Sequence, residues 1–205
     1  MIAIIDYGMG NLKSVHKAFT AIGASTVVTS VPSDIDNAEA IVLPGVGAFA
    51  DCMKNLYERG LVEAVLRAIE KGKPYLGICL GLQILFDQSE EFGLSHGLGI
   101  IPGRVKRFSF EDRNLKIPHM GWNSIKILKR APVFNEIPDG SYFYFVHSYY
   151  VEPLQSAVIS TETEYGITFT SSIWKDNILA TQFHPEKSQA LGLRLLRGFV
   201  EFCKK

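Results

Sequence analysis

The chain has 205 residues, a length that suits one domain over 1–205, and 47% of them are hydrophobic, which excludes a disordered polymer. Its 21 basic residues balance 21 acidic ones, so nothing in the charge calls for nucleic acid or an anionic membrane as partner. Three cysteines make no disulfide framework, the N-terminus has no basic flank, and no run approaches the roughly 18 apolar residues of a membrane helix, so a cytoplasmic protein is expected.

In chain order, the apolar run Ile2 to Ile5 predicts a strand buried on both faces. Asn11 is placed to cap a helix with Leu12, Val15, Phe19 and Ile22 on one side, and Gly23 ends it. Val27 and Val28 mark a second strand and Ala40 to Leu43 a third, giving strand, helix, strand, strand for the first quarter. A longer helix follows, with Leu61, Val62, Val65, Leu66 and Ile69 as its apolar stripe and Gly72 as its end. Pro74 to Ile78 predicts another buried strand, and Leu80 to Phe86 a helix. From Arg104 to Phe183 aromatic and β-branched residues alternate with turns such as Pro138-Asp139-Gly140 and Lys175-Asp176-Asn177, which predicts several strands, many of them antiparallel. A last helix runs from about Ser188 to Phe202. The fold class expected is α/β: a central, mostly parallel sheet flanked by helices, with antiparallel strands added in the second half.

The segment Gly77-Ile78-Cys79-Leu80-Gly81 lies between an apolar strand and a helical pattern. Glycines two residues either side of Cys79 permit the sharp strand-to-helix bend on which G-x-S-x-G enzymes expose a nucleophile, here with sulfur in place of hydroxyl. A helix start offers unpaired N–H groups and partial positive charge, which favour a thiolate, and the Leu80 amide is placed to meet an oxyanion. An isolated cysteine is more often a small core residue, the reading kept for Cys52 and Cys203. At Cys79 the paired glycines reverse that preference.

A nucleophilic sulfur needs a base. Of five histidines, His16 falls on the polar face of the first helix and His96 in the glycine-rich stretch from Gly93 to Gly99, expected to be a loop. His184 follows the strand Ile178 to Phe183 and precedes Pro185-Glu186. Cys79 and His184 both sit at strand carboxyl ends, where the functional groups of parallel sheets gather. Glu186 can accept the proton of the second ring nitrogen and fix the tautomer. A plain turn ahead of the last helix is the competing reading of His-Pro-Glu. Gly8 and Gly10 invite a dinucleotide reading, but Lys13 stands where the third glycine belongs.

The elbow with Gln83, together with His184-Pro185-Glu186, resembles the two signatures of class I glutamine amidotransferases. Asp6-Tyr7-Gly8-Met9-Gly10-Asn11, Pro44-Gly45-Val46-Gly47-Ala48-Phe49, Pro118-His119-Met120-Gly121-Trp122-Asn123 and Phe145-Val146-His147-Ser148-Tyr149-Tyr150 are similar to one branch, the glutaminase subunits of imidazole glycerol phosphate synthases. The resemblance implies hydrolysis of L-glutamine to glutamate and ammonia through a thioester on Cys79; no cofactor is expected, and with no H-E-x-x-H or paired Cys-x-x-Cys spacing no metal site is suggested. It implies an eight-stranded β/α-barrel cyclase as heterodimer partner in histidine biosynthesis. It implies that Gln83 contacts the amino-acid end of glutamine and that His147, Ser148 and Tyr149 hold its backbone, largely through main-chain groups. It implies that Val46, Gly47 and Leu80 form the oxyanion hole, and that Asn11, Trp122 and Lys187 lie near the partner. Glycines on both sides of Val46 make that peptide easy to reorient, so the hole is expected to be completed by the partner. The alternatives are another amidotransferase of the same class, a peptidase or γ-glutamyl hydrolase with the same triad, and a non-catalytic partner-binding module of the same fold.

Overall fold

The computed structural model describes residues 1–110 and 115–204. Part of the strand-rich stretch from Arg104 to Phe183, residues 111–114, lies outside the described residues. The first half contains β1 (Ile2–Ile5), α1 (Leu12–Ala21), β2 (Thr26–Thr29), α2 (Pro32–Asn37), β3 (Ala40–Gly45), α3 (Phe49–Glu58), α4 (Leu61–Glu70), β4 (Tyr75–Cys79) and α5 (Leu80–Gln83). The second half contains β5 (Phe86–Ser89), β6 (Ser95–His96), β7 (Ile101–Arg107), β8 (His119–Ser124), β9 (Lys126–Ile127), β10 (Tyr142–His147), β11 (Tyr149–Pro153), β12 (Ile159–Glu164), β13 (Thr168–Lys175), β14 (Ile178–Thr181) and α6 (Gln189–Phe202).

The expected sheet is present. Strands run β2-β1-β3-β4-β14 in parallel, then β13, β11 and β7 join antiparallel, and β5 and β6 close that edge. β12 flanks β13, β9 flanks β12, and β8 with β10 forms a separate antiparallel pair. β1, β3, β4 and β14 are fully buried because helices cover both faces, whereas the edge strand β2 is partly exposed. Side-chain alternation divides β1 between them: Ala3 and Ile5 pack with residues of α2, α3 and α4, whereas Ile2 and Ile4 pack with Val15 and Phe19 of α1 and Leu195, Leu196 and Phe199 of α6. Asn11 does cap α1, its side chain accepting from Ser14 N.

Three local expectations are corrected. The first quarter contains α2 between its second and third strands, and α3 follows Gly45. Since β2 and β3 both lie parallel to β1, a crossover between them is required, and the short Pro32-led helix supplies it. The apolar run after Cys79 is helical only as far as Gln83, and Phe86 already belongs to a strand. Seven residues of mixed leucine, isoleucine and glycine do not separate helix from strand by periodicity. His96 lies in the two-residue strand β6 rather than a loop. Among the described residues no helix is long and apolar enough to cross a membrane.

This architecture sets two chain exits side by side. β14 runs parallel to β4 with Thr181 opposite Ile78, so the residue ending β4 and the segment leaving β14 emerge at the same edge. Those are Cys79 and the stretch Gln182 to His184.

Candidate active site

Cys79 has φ +55° and ψ −103°, a conformation non-glycine residues rarely adopt. The glycines around it explain how the bend closes. A Cβ on Gly81 would stand 1.9 Å from Leu43 O, and one on Gly77 2.4 Å from Gly81 O. Tyr75 Oη donates to Gly81 O at 2.7 Å and ties the turn to β4. The backbone strain is held by packing on all sides.

His184 reaches the same place from β14. Its backbone N–H donates to Tyr144 O at 2.9 Å, and its carbonyl accepts from Ser188 Oγ at 2.7 Å. Gly192 lets α6 approach the His-Pro-Glu turn, for a Cβ there would stand 1.8 Å from Pro185 O. The ring donates from Nδ1 to Glu186 Oε1 at 2.8 Å, with both side chains 2% exposed. Nε2 is therefore left for Cys79. Burial pulls the ring toward neutrality, yet its interaction with Cys79, then that with Glu186, outweighs burial and raises its pKa to about 10. Nε2 makes no hydrogen bond of ordinary geometry within the protein. The three residues singled out by motif thus meet in space, and the two other cysteines do not join them. Burial pushes the Cys52 and Cys203 thiols each up to about 12.

Beside the sulfur is a cavity of about 400 Å³, lined by Val46, Gly47, Cys79, Leu80, Gln83, Glu91, His147, Ser148, Tyr149 and Lys187 among others. Every residue expected at the oxyanion hole or substrate site lines it. Gly47 has φ +94°, and Val46 is partly exposed. Gln83 Nε2 donates to Tyr149 O and to Gln182 Oε1, both at 3.1 Å, which commits both hydrogens of its amide. The resemblance implied that the His147–Tyr149 segment acts mainly through its main chain, and two of its carbonyls are already engaged. Ser148 O accepts from Phe108 N, and Tyr149 O accepts from His147 Nδ1 at 2.8 Å as well as from Gln83.

His147 and His119 face each other across the β8–β10 pair, Nδ1 of His119 lying 2.9 Å from Nε2 of His147. Because His147 Nδ1 donates to a carbonyl, its Nε2 must accept, so His119 donates from Nδ1 and its Nε2 accepts from Asn123 Nδ2 at 3.3 Å. Both rings are neutral. Burial lowers His119 to about 4 and His147 to about 3.

Lys187 Nζ sits 5.8 Å above the Tyr144 ring, which meets Trp122 edge-on at 6.1 Å, so Trp122 and Lys187 share one surface through Tyr144. Asn11 caps the start of α1, whose body packs on the Pro185–Lys187 turn.

Two site residues escaped the sequence reading. Glu91 lines the cavity, with Oε2 accepting from Phe49 N at 2.7 Å. Nothing in the Glu90-Glu91 pair says which turns inward; Glu90 faces Arg104. Gln182 is wholly buried with Nε2 3.5 Å from Cys79 Sγ. In the sequence it is a lone glutamine two residues ahead of His184, and no local pattern singles it out.

A nucleophilic sulfur, an imidazole, a carboxylate and an elbow at the carboxyl edge of a parallel sheet define a cysteine-dependent acyl-transfer site. The model of the class I glutamine amidotransferases matches residues 3–201, and the chain belongs to that family. It is 56% identical to the imidazole glycerol phosphate synthase subunit HisH of Geobacter sulfurreducens, over 98% of each chain. It is 55% identical to the subunit of that name from Syntrophotalea carbinolica, over 97% of this chain and 98% of that one. In fold it matches a crystal structure described as a glutamine amidotransferase with a TM-score of 0.77 at 18% identity, over the whole of both chains.

Proposed function

We propose that residues 1–205 form one glutaminase domain, the ammonia-producing subunit of an imidazole glycerol phosphate synthase in histidine biosynthesis. The observation that carries this reading is the meeting of Cys79, His184 and Glu186 beside a cavity lined by Gln83 and the Val46–Gly47 loop.

The Cys79 thiolate attacks the side-chain amide carbon of L-glutamine. The carbonyl oxygen becomes an oxyanion, which the amides of Leu80 and of the Val46–Gly47 loop are positioned to receive; one such donor is typically worth roughly 3–4 kcal/mol of barrier. The His184 imidazolium gives its Nε2 proton to the leaving nitrogen, ammonia departs, and a γ-glutamyl thioester remains. His184, now neutral, takes a proton from water as it attacks the thioester, and glutamate leaves as the thiolate re-forms. Glu186 keeps the ring in the required tautomer and stabilises its charged form. Gln83 has both amide hydrogens committed, so toward the cavity it offers its carbonyl oxygen, an acceptor suited to the ammonium of the substrate's amino-acid end. Glu91 adds a second acceptor at the same cavity. With the carbonyls of Ser148 and Tyr149 occupied, donors to the substrate carboxylate from that segment are its amides.

The second substrate-side partner is a cyclase subunit, a β/α barrel that takes the ammonia in a heterodimer. Trp122, Lys187 and Asn11 are the residues assigned to that surface, and the cytoplasm is the compartment. Cys79→Ala is expected to abolish ammonia release while leaving thermal stability and cyclase binding near wild type. Release that persisted in this variant would refute the assignment.

A further inference from the structure

Gln182 lies wholly buried between Cys79 and Gln83, two residues ahead of His184. Its backbone N–H donates to Ser171 O at 2.8 Å, which holds the main chain against β13. Its side-chain amide spans the two neighbours, with Oε1 3.1 Å from Gln83 Nε2 and Nε2 3.5 Å from Cys79 Sγ, within reach for a sulfur acceptor.

Which end of that amide faces the sulfur is decided away from the sulfur. The Tyr149 carbonyl can only accept, so Gln83 must point its NH2 there. The second hydrogen of that NH2 goes to Gln182, which must then present its oxygen. The NH2 of Gln182 is left facing Cys79. The Tyr149 carbonyl is itself held by His147 Nδ1–H, and His147 by His119, so the polarity is set by a run of groups reaching from β8. A reversed amide would set NH2 against NH2 at Gln83 and an oxygen against the sulfur anion, with the Gln182 side chain itself wholly buried.

We propose that Gln182 is a further catalytic residue, whose side-chain N–H donates to the Cys79 sulfur and favours thiolate over thiol, in an orientation imposed by Gln83, Tyr149, His147 and His119. This rests on the reading of Cys79 as nucleophile. A hydrogen bond to the charged form of an acid stabilises that form, and burial makes such a donor stronger than it is in water. The same N–H serves twice in a turnover: before attack, and when thioester hydrolysis returns the charge to sulfur.

The test is the pH dependence of Cys79 alkylation by iodoacetamide in the full chain without glutamine, followed by mass spectrometry of the Cys79 peptide, alongside kcat and KM for ammonia release. Gln182→Met keeps the length and removes the polar groups; Gln182→Glu keeps the shape and sets a carboxylate against the sulfur. The alkylation midpoint is expected to rise by about one pH unit in the Met variant and further in the Glu variant, with kcat lowered roughly ten- to hundredfold. Gln182→Asn, which withdraws the N–H from the sulfur, carries the test if the other two fail to fold. An unmoved midpoint with only KM raised overturns the proposal, since Gln182 would then merely hold Gln83. A moved midpoint in a chain that releases no ammonia from glutamine would leave the donor standing and reject the glutaminase reading instead.

Discussion

Three cysteines share this chain, and their surroundings divide them. Burial, the largest influence on Cys52 and Cys203, holds both as thiols, whereas Cys79 interacts with the His184 imidazole, which a buried carboxylate keeps oriented. Glu186 is the member of the triad that never touches substrate. Replacing it with glutamine leaves the ring its shape but removes the anion that stabilises the imidazolium. Glu186→Gln is therefore expected to lower kcat by roughly 10²- to 10⁴-fold with KM little changed, read from steady-state ammonia release. The motifs of the proposed triad were legible in the sequence, because an elbow needs its glycines close by and His-Pro-Glu sets a candidate base and orienter within three residues. Gln182 and Glu91 were not legible: each acts through a long-range neighbour, and a lone glutamine or one of two adjacent acids carries no local mark.

At the scale of elements, the bend between β4 and α5 has no space for side chains at its two glycines. Gly81→Ala drives a methyl group into the Leu43 carbonyl and is expected to destabilise the fold by about 3 kcal/mol, measured by denaturant unfolding, with loss of activity in whatever folds. The β8–β10 pair carries the two neutral histidines, and its stability should depend on pH. Unfolded, these rings take up protons near their ordinary pKa of 6.5; folded, they resist until about 4 and about 3. Between those limits the unfolded chain binds more protons, so stability present above pH 6.5 is lost as pH falls toward 3. Chemical unfolding at stepped pH should show that loss, and His119→Phe with His147→Phe should flatten it. β1, β3 and β4 announced themselves as apolar runs, since both their faces are covered; the edge strand β2 was marked only by Val27 and Val28. α3 did not, because its buried stripe is only Phe49, Cys52 and Leu56 among polar residues, and α2 is a six-residue crossover whose existence follows from topology alone.

For the whole molecule, the cavity opens near a surface that carries exposed Trp122 and Lys187 joined through Tyr144. A partner seated there would lie close to the Val46–Gly47 loop, through Lys187, which lines the same cavity. Ammonia release by the isolated chain is accordingly expected to be slow, and to rise when the cyclase subunit and its ligand are added. Trp122→Ala should weaken that rise while sparing the Cys79 alkylation profile. The parallel sheet and its functional edge were readable from the first eighty residues, but the meeting of two distant segments at that edge depends on β14 pairing with β4, which no local pattern records. The most direct measurement is to incubate the assembled enzyme with an electrophilic analogue of glutamine and map the adduct by mass spectrometry. A single adduct on Cys79, prevented by excess glutamine and accompanied by loss of ammonia release, is the result expected. Labelling of Cys52 or Cys203 instead, or full ammonia release from enzyme whose Cys79 is blocked, would contradict the account.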